Sequence, residues 1–395
     1  MKSILAKIGK TLTILKNEGI FQGGKRFLKI GWRYLKMMKP VKAGDILFIA
    51  GGAGGASAIF RVHNQSEELG LHGFKCQVIT QDNPWMLSNF SKFEIFIFQR
   101  VLVTEKISKM IAKIKEAGKE IIFETDDLLF DPKYFKHIDF FKGMNKLERG
   151  LYKDGLGAEI LNDLYVKTCV TTTSYLAQIL KEKNKYVLIS KNKISNCELE
   201  LCENILKNKK KINDGWIRLA YLSGTPSHDK DFATIILELE KIMEKYSQVR
   251  LYLLGSLEIG SALDKFQDRI DKFKHVDRKK YFENVYKFVD INLSPLEADN
   301  PFCEAKSEIR FSGTGILNIP TVAVRNQTFS EAISDGVDGF LAGDTNEWVE
   351  KISQLVENEK LRIEMGQKAR GKVLRDYTNK NSHNEEYYNY LRSKL

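Results

Sequence analysis

Short apolar runs alternate along the chain with stretches whose apolar residues repeat at helical spacing, from residue 45 to about residue 375. In the first half, the apolar runs predict strands at 45–50, 74–80, 93–98, 120–123, 168–172 and 186–189. The stretches at 57–70, 104–117 and 174–183 lie between them and predict helices. Strands separated by helices of this length indicate parallel βαβ units.

The second half repeats this alternation after a polar, lysine-rich joint at 207–215. Strands are predicted at 217–222, 249–254, 291–293, 321–324 and 340–342, and helices at 231–246, 260–272, 278–288, 305–316, 345–357 and 359–376. We therefore expect an α/β protein with two doubly wound, Rossmann-like domains, at 44–212 and 213–378. Ligands of such sheets bind beyond the carboxyl ends of the strands, so two facing domains would hold a cleft between them.

Residues 1–43 form a separate basic segment. They hold eleven Lys and Arg residues against the single acid Glu18, so this segment carries nearly all of the net charge of +11. Apolar residues recur there at helical spacing, and they include Trp32 and Tyr34, which suit a lipid interface. Residues 1–40 are therefore expected either to contact an anionic inner-membrane surface or to pack on the flank of the protein. The body of the chain is almost neutral, which disfavours nucleic acid as a partner.

Cysteine use and hydropathy bear on the compartment. The five cysteines are odd in number and lack C-x-x-C spacing, so neither a disulfide framework nor a zinc site is expected. The sequence has no run of 18 apolar residues and no convincing secretory signal. We therefore expect a cytoplasmic protein. In one interpretation it is peripheral on the inner face of the cytoplasmic membrane.

A glycine-rich turn, IAGGAGGAS at 49–57, joins the first strand to the first helix. Glycines allow backbone N–H groups to approach a ligand, and a helix N-terminus favours an anion. Gly54 and Gly55 are candidates for a sugar or phosphate loop. The turn only approximates the dinucleotide fingerprint, so NAD binding and a purely structural turn remain alternatives.

Carboxylates cluster after the fourth predicted strand, in IIFETDDLLFDP at 121–132. Asp126 and Asp127 are candidates to orient sugar hydroxyls or to act as a base. Capping of a helix is the alternative for these aspartates, and further ligands for a metal ion are not evident. No metal site is predicted.

Two segments of the second half carry cationic groups that suit a diphosphate. In YLSGTPSHDKDF at 221–232 a strand ends before Gly224 and Thr225, and Lys230 follows in the loop, where solvation of its side chain is the alternative. In LSPLEADNPFCEAKSEIRFSGTGILNIPTVAV at 293–324, a strand delivers Glu297 toward the ligand. Glu304, Lys306 and Ser307 are predicted at the start of the following helix, and Arg310 lies one turn beyond Lys306.

At these residues the chain resembles the GT-B glycosyltransferases, specifically glycosyltransferase family 4 and its subgroup for bacterial surface polysaccharides, with rhamnosyltransferase-like members. The resemblance covers about residues 45–378 and rests on seven motifs in register. They are GGAGGAS followed by Arg61, FQR ending at Arg100, FETDDL, SGTPSHDKDF, the LLGS turn at Gly255, PLEADNPFCEAKSEIR and DGVDGFLAGDTNEW.

The resemblance implies a donor site for a nucleotide diphosphate sugar in the second domain and a site in the first domain for a glycan or lipid-linked glycan acceptor. Lys306, with Lys230 or Arg310, would hold the diphosphate, and Glu304 would contact the donor sugar. Gly224, Thr225, Gly255, Glu297 and Ser307 would complete the donor site, and Arg61 and Arg100 would serve the acceptor or phosphate loop. Transfer would retain the anomeric configuration and need no metal or cofactor, and a last helix at 379–395 would return to the first domain.

One position departs from the family pattern. The second glutamate of that pattern, which commonly holds the nucleotide ribose, is replaced by Gly313, and Glu304 is one residue away from the position of the first. Glu308 is a possible substitute for the missing carboxylate. A catalytically degenerate partner protein is therefore the alternative function, and an NAD-dependent oxidoreductase is a remote one.

Overall fold

The computed structural model describes residues 24, 28, 31–52, 55–138, 149–150, 152–223, 229–255, 257 and 259–395. The chain divides into two compact units. Unit 1 extends to Asn192 and also includes His383–Leu395, and unit 2 comprises Lys193–Ser382. Within the described part of the chain, no helix is both long and apolar enough to cross a membrane.

Unit 1 is built on a six-stranded parallel sheet with the order β2-β1-β3-β4-β5-β6. Every residue of the adjacent interior strands β1 and β3 is buried, as expected for parallel strands covered on both faces. The predicted strands of this half are confirmed within two residues. They are Ile46–Ala50 (β1), Cys76–Thr80 (β2), Ile95–Gln99 (β3), Glu120–Glu124 (β4), Thr168–Thr171 (β5) and Tyr186–Ile189 (β6).

The helices of unit 1 connect these strands. The predicted helix at 57–70 is interrupted, because Ile59–Asn64 forms a π-helical segment between two α-helical ones. The α-helices of the described residues include Ala56–Ala58, Gln65–Leu71, Met86–Asn89, Glu105–Glu116, Ala158–Asn162, Ser174–Lys181 and Glu385–Arg392, and Phe90–Lys92 and Pro132–His137 are 3-10 helices.

The two chain ends pack on unit 1. Residues 31–37 are helical, and within them Met37 is buried in the same apolar cluster as Tyr387, Tyr388 and Leu391 of the last helix. The hydroxyl of Tyr388 donates a hydrogen bond of 2.6 Å to Glu68. The last helix is therefore part of the core of unit 1. Most of the basic segment predicted at 1–43, including its first helical pattern, lies outside the described residues.

Unit 2 contains a second six-stranded parallel sheet, with the order β12-β11-β10-β7-β8-β9. Successive residues of its strands face opposite sides. Leu219 and Tyr221 contribute to one apolar cluster, and Ala220 and Leu222 contribute to the other. The strands are Ile217–Leu222 (β7), Val249–Leu254 (β8), Ile270–Phe273 (β9), Ile291–Ser294 (β10), Thr321–Val324 (β11) and Phe340–Ala342 (β12). The α/β fold with two parallel sheets is thus confirmed.

Three predicted helices of unit 2 were wrong. The predicted helix at 231–246 is two helices, Asp229–Ala233 and Ile236–Lys245. The predicted helix at 260–272 is a 3-10 helix, Ser261–Arg269, followed by the edge strand β9. The predicted helix at 305–316 is two short helices, Pro301–Glu304 and Ile309–Gly315. The helices Asn196–Asn208 and Gln327–Ala332 were not predicted. The remaining helices are Arg278–Phe288, Thr345–Glu357 and Glu359–Asp376.

Candidate functional site

The carboxyl end of the unit 2 sheet holds a buried carboxylate with a lysine beside it. Asp231 is 1% exposed and lies in the helix Asp229–Ala233, after β7. Its Oδ2 accepts a hydrogen bond of 2.6 Å from the Nζ of Lys306, which lies on the segment after β10. Its Oδ1 accepts from the Sγ of Cys303 at 3.2 Å, and burial raises the pKa of that thiol to about 12. The thiol is therefore a neutral donor, and Asp231 fixes the position of the Lys306 ammonium group.

Arg310 is held at the same end of the sheet by two elements. Its guanidinium lies over the ring of Tyr221 in β7, at 4.8 Å from the ring centroid, and its Nη2 donates to the Tyr221 hydroxyl at 3.2 Å. Its Nη1 is 3.5 Å from the carbonyl oxygen of Pro295, directly after β10. The backbone N–H of Glu297, two residues on, points to Asp231 at 3.4 Å. The loop after β10 thus connects Arg310 with the Asp231–Lys306 pair.

The structure corrects the predicted position of Lys306 and Ser307 at a helix start. The helix begins at Ile309, and both residues precede it in a segment without regular secondary structure. Glu304 is the last residue of the preceding short helix, and burial, aided by Asp299, raises the pKa of its carboxyl group. Anion binding at this place therefore depends on side-chain cations more than on a helix dipole.

Of four other predicted donor residues, the structure describes Lys230 and Gly255. Lys230 is exposed on the helix that carries Asp231. Gly255 has φ of 116°, and a Cβ atom there would lie 2.2 Å from the carbonyl oxygen of Ser223, so the close approach of two strand ends explains this glycine. Gly224 and Thr225 lie outside the described residues. None of these observations tests the predicted ligand contacts, which stay predictions.

One group of side chains in this region has the geometry of a metal site. Ligand atoms of Asp231, Glu297 and Cys303 lie within 4.8 Å of one another. The Nζ of Lys306 lies 2.6 Å from the Asp231 carboxylate and 3.6 Å from the Cys303 sulfur, so the group carries its own cation. A divalent ion placed there would meet electrostatic repulsion from the ammonium group.

The position of the missing family glutamate is a buried glycine, Gly313, with room for a Cβ atom. A Cβ atom on Gly313 would make ordinary contact with the hydroxyl of Tyr281 at 3.4 Å. Glu308, the possible substitute, is 4% exposed, and the hydroxyl of Tyr377 donates a hydrogen bond to it. Its carboxylate therefore has a partner within the protein, and the structure gives no support to the idea that Glu308 replaces the missing group.

In unit 1, Arg61 and Glu124 form a completely buried ion pair. The Nε of Arg61 lies 2.5 Å from Oε1 of Glu124, and both side chains are at most 1% exposed. The Nη1 of Arg61 donates to the carbonyl oxygen of Ser190 at 2.6 Å and to Asn192 at 3.2 Å. Burial raises the pKa of Glu124 to about 7, and the Arg61 cation offsets part of that shift. Here Arg61 joins the ends of β4 and β6, and its predicted acceptor role stays a prediction.

The predicted carboxylates Asp126 and Asp127 share one cation. Arg100 donates to Asp127 and lies 2.8 Å from Oδ1 of Asp126. The hydroxyl of Ser57 also donates to Asp126, at 2.9 Å. Burial raises the pKa of Asp127 to about 6, although Arg100 offsets part of the shift. Asp127 also accepts from the N–H of Leu129, a turn contact and not the helix cap considered from sequence.

The glycine-rich turn of unit 1 has a structural requirement at one position. A Cβ atom on Gly51 would lie 1.8 Å from the carbonyl oxygen of Arg100, so only glycine fits there. Gly55 has φ of 93° and precedes the first helical turn. Gly54 lies outside the described residues. The structural interpretation of the turn thus accounts for Gly51, whereas a Cβ atom on Gly52 or Gly55 would meet no neighbour within 4 Å.

Sequence reasoning missed Asp231, and it grouped Glu124 with the neighbouring carboxylates without finding Arg61 as its partner. Asp231 stands in the quoted motif SGTPSHDKDF, next to Lys230, and Glu124 stands in FETDDL. A carboxylate in an apolar segment just after a strand could have identified both acids, because a buried carboxylate needs a cationic partner. The partners are 75 and 63 residues distant along the chain, and spacing could not identify them.

Comparison with known proteins shows which family this part of the chain is similar to. A model of the family described as glycosyl transferase-like matches residues 237–385, nearly all of them in unit 2. Among curated proteins, the chain is similar to the capsular polysaccharide biosynthesis glycosyltransferase CapM of Staphylococcus aureus, with 25% identity over 232 residues. That match spans 52% of this chain and 57% of the length of CapM.

Solved structures of similar fold cover most of the chain. HepE of Anabaena in complex with UDP aligns with a TM-score of 0.59 and 14% identity, over 88% of this chain and 100% of HepE. HepE in complex with UDP-glucose aligns with a TM-score of 0.56 and 14% identity, over 89% and 100%. WaaG, a glycosyltransferase involved in lipopolysaccharide biosynthesis, gives a TM-score of 0.52 and 14% identity over 88% and 99%. The chain therefore has the fold of the GT-B glycosyltransferases, and its residues 237–385 match the glycosyl transferase-like family model.

Proposed function

We propose that this protein transfers a sugar from a nucleotide diphosphate sugar to a glycan or lipid-linked glycan acceptor in bacterial surface polysaccharide synthesis. The observation that carries the proposal is the pair of cations, Lys306 and Arg310, at the carboxyl end of the unit 2 sheet, inside the family-matched region. Parallel α/β sheets bind ligands at this end. The similarity to CapM supports the polysaccharide context.

In the proposed reaction, Lys306 and Arg310 bind the diphosphate and stabilise the negative charge that develops as it leaves. The bond between the anomeric carbon and the phosphate oxygen breaks, and its electron pair stays on the phosphate. The acceptor hydroxyl oxygen forms the new bond on the same face of the sugar, and its proton passes to the leaving phosphate. Glu304, Glu297 and Ser307 would contact the donor, and the configuration at the anomeric carbon would be retained.

No cofactor and no metal ion enter this scheme, in which the nucleotide sugar is a co-substrate. The ammonium group of Lys306 beside Asp231 supports that part of the proposal, since a fixed cation already lies where a metal would neutralise phosphate. In unit 1, Asp126 and Asp127 would orient acceptor hydroxyls, with Arg100 holding both carboxylates in place.

Isothermal titration of the full chain with UDP, GDP, dTDP and NAD tests the donor site, with UDP as the first choice because HepE binds it. We expect one nucleoside diphosphate to bind and Lys306→Ala to weaken it roughly tenfold or more, the effect of losing a charged hydrogen bond. Lys360→Ala, at an exposed lysine of the same unit, is the matched control. Unchanged binding by Lys306→Ala would show that the diphosphate lies elsewhere.

A second candidate function is a catalytically inactive GT-B protein that acts as a partner or scaffold. Gly313 favours it, because the family's ribose-binding carboxylate is absent there and Glu308 is already paired with Tyr377. The same titration separates the two functions. Failure of all nucleotides to bind would favour the partner protein, and NAD binding alone would favour the oxidoreductase.

We also propose a peripheral position on the cytoplasmic face of an anionic membrane. Leu28, Trp32 and Leu35 are 69%, 63% and 61% exposed, and their spacing puts them on one helix face. Arg33, Lys36, Lys39 and Lys42 lie near this stripe in the chain, and the Nζ of Lys36 is 5.7 Å from the Trp32 ring centroid. The other side of the helix is attached to unit 1 through Tyr34, which donates to Asp82, and through Met37. Apolar anchors beside cations favour anionic lipid.

Cosedimentation with phosphatidylglycerol vesicles tests this position. The double variant Trp32→Ala/Leu35→Ser should lose most of its binding. Leu237→Ser removes an equally exposed leucine from unit 2, at 63% exposure, and should bind as the wild type does. Equal binding by all three proteins would refute the membrane proposal without affecting the donor site.

A further inference from the structure

Unit 2 contains a cavity of about 300 Å³ along one face of its sheet. Arg218 and Arg250, which line it, are register partners at the second positions of β7 and β8. The cavity extends from there to Phe273 at the carboxyl end of β9, whose carbonyl oxygen accepts a hydrogen bond from the N–H of Gly255. Tyr252, which also lines the cavity, packs in the same apolar cluster as Ala220, whereas Tyr221, which holds Arg310, packs in the other. The sheet therefore separates a ligand here from the Tyr221–Arg310 contact.

The charges that line the cavity cancel in two planar pairs. Nη1 and Nη2 of Arg218 donate to the two oxygens of Asp214 at 2.9 and 2.5 Å. Nε and Nη2 of Arg250 donate to the two oxygens of Asp271 at 3.1 and 2.9 Å. Each arginine is thus neutralised by a bidentate carboxylate, the strongest common form of this interaction, and the lining offers an anion no uncompensated cation. The cavity is therefore suited to a neutral ligand.

The two pairs retain capacity for further hydrogen bonds. Within the described residues, Nη1 of Arg250 and the indole N–H of Trp216 make no hydrogen bond, and each carboxylate oxygen has lone pairs beyond those used. Donors and acceptors thus alternate around the cavity in fixed planes. A ligand with several adjacent hydroxyl groups, each both donor and acceptor, matches that arrangement.

Aromatic rings supply the apolar part of the lining. Phe273, at the end of β9, is 40% exposed, and its ring stacks on the buried Tyr252 at 4.8 Å between centroids. The ring of Trp216 carries the Arg250 guanidinium at 4.8 Å on one face. Both rings are therefore held by neighbours while part of their surface remains accessible. Rigid aromatic surfaces beside a few oriented polar groups are the usual lining of small-ligand sites, whose volumes begin near 300 Å³.

We propose that this cavity binds one neutral sugar unit, as a second carbohydrate site separate from the donor site. The proposal depends on the proposed function only for the source of the sugar, a residue of the growing glycan. The binding chemistry depends on the cavity alone. A site of this kind would hold a polymeric acceptor on the enzyme between transfers and raise its effective concentration.

Saturation-transfer NMR of the full chain, without nucleotide, tests the proposal with the methyl glycosides of glucose, galactose, N-acetylglucosamine and rhamnose as probes. We expect saturation transfer to at least one of them at millimolar concentration. Trp216→Ala should weaken that binding at least tenfold, and so should Phe273→Ser, a change at an exposed ring that leaves the core intact. Lys306→Ala should leave it unchanged.

Each other outcome overturns the inference. Failure of all four glycosides, or equal binding by the Trp216 and Phe273 variants, would show that the cavity is only a structural edge of the sheet. Loss of binding in Lys306→Ala, or competition by UDP, would place the sugar in the donor site. Because UDP titration reports the donor site independently, failure of the second site and failure of the proposed function remain distinguishable.

Discussion

The buried pair of Arg61 and Glu124 allows a quantitative test of what Arg61 does. Both side chains are inaccessible, and Nη2 of Arg61 and Oε2 of Glu124 have no hydrogen-bond partner among the described residues. Removal of one partner leaves the other charge buried, at a cost of about 3–5 kcal/mol. We therefore expect Arg61→Met to destabilise unit 1 by that amount, which lowers its melting temperature by roughly 6–20 °C.

The double variant Arg61→Met/Glu124→Leu should recover most of that loss. Replacement of an incompletely hydrogen-bonded buried pair by apolar residues is often neutral or stabilising. The carbonyl oxygen of Ser190 and the side chain of Asn192 would lose their donor, at about 1–2 kcal/mol. We thus expect the double variant to lie within about 2 kcal/mol of the wild type, with a coupling free energy well above zero.

The buried Glu124 carboxyl group also makes the stability of unit 1 depend on pH. The pKa of Glu124 in the folded chain, about 7, is above its ordinary value of 4.5, so folding takes up a proton at this site between those values. Its contribution to stability is full below about pH 4.5 and is lost as the pH rises through about 7. In Arg61→Met the offsetting cation is gone, so the loss should be larger and should extend to higher pH. Glu124→Leu should remove this slope.

Differential scanning calorimetry of the four proteins between pH 5 and 8 measures these effects. A loss below about 1 kcal/mol in Arg61→Met, or a double variant no more stable than the single ones, would refute the reasoning from burial. Donor hydrolysis and transfer to acceptor complete the test. A stable double variant that hydrolyses donor but fails to transfer the sugar would support the acceptor role predicted for Arg61.

Two further variants probe unit 2. Gly313→Glu restores the family carboxylate at a position where its Cβ atom meets only ordinary contact, so affinity for the nucleoside diphosphate should rise about tenfold. Calorimetric titration measures this affinity, with Gly313→Gln as the neutral control. Equal affinities of the wild type and the two variants would contradict the prediction. Gly366→Ala and Gly371→Ala compare two glycines of the helix Glu359–Asp376 by urea unfolding. A Cβ atom at 366 would lie 2.0 Å from the carbonyl oxygen of Asn318, whereas none of the described residues lies within 4 Å of one at 371. Unit 2 should therefore be destabilised by the first change and stabilised by roughly 0.5–1 kcal/mol by the second, and the reverse order would contradict the packing argument.

The sheets could be predicted because buried parallel strands are continuous apolar runs, as in ILFIA of β1 and IFIFQ of β3. The edge strand β9 was predicted as helix because its sequence, IDKF, continues the helical pattern of the residues before it. Only its pairing with β8 identifies it as a strand. The helix Asn196–Asn208 was missed although its start carries a capping box of Ser195 and Glu198.

The site was predictable in residue type but not in contacts. Lys306, Arg310 and the two aspartates of FETDDL were selected because charged groups followed apolar strands, and the structure places them at strand ends. Their partners come from distant segments, because a sheet brings together residues whose separation in sequence is set by the intervening helices. The start of the helix after Lys306 was misplaced because the pattern of apolar residues does not show a break of four residues.

The chain leaves unit 1 after Asn192 and returns to it only at His383. Tyr387, Tyr388 and Leu391 complete the core of unit 1, so a ribosome must synthesise all of unit 2 before that core can close. At 5–20 residues per second this delay is roughly 10–40 s. During that time unit 2 is itself incomplete, while the N-terminal portion of unit 1 exposes an apolar surface to chaperones. The half of the chain that is synthesised first therefore cannot reach its native state until the last helix has been made.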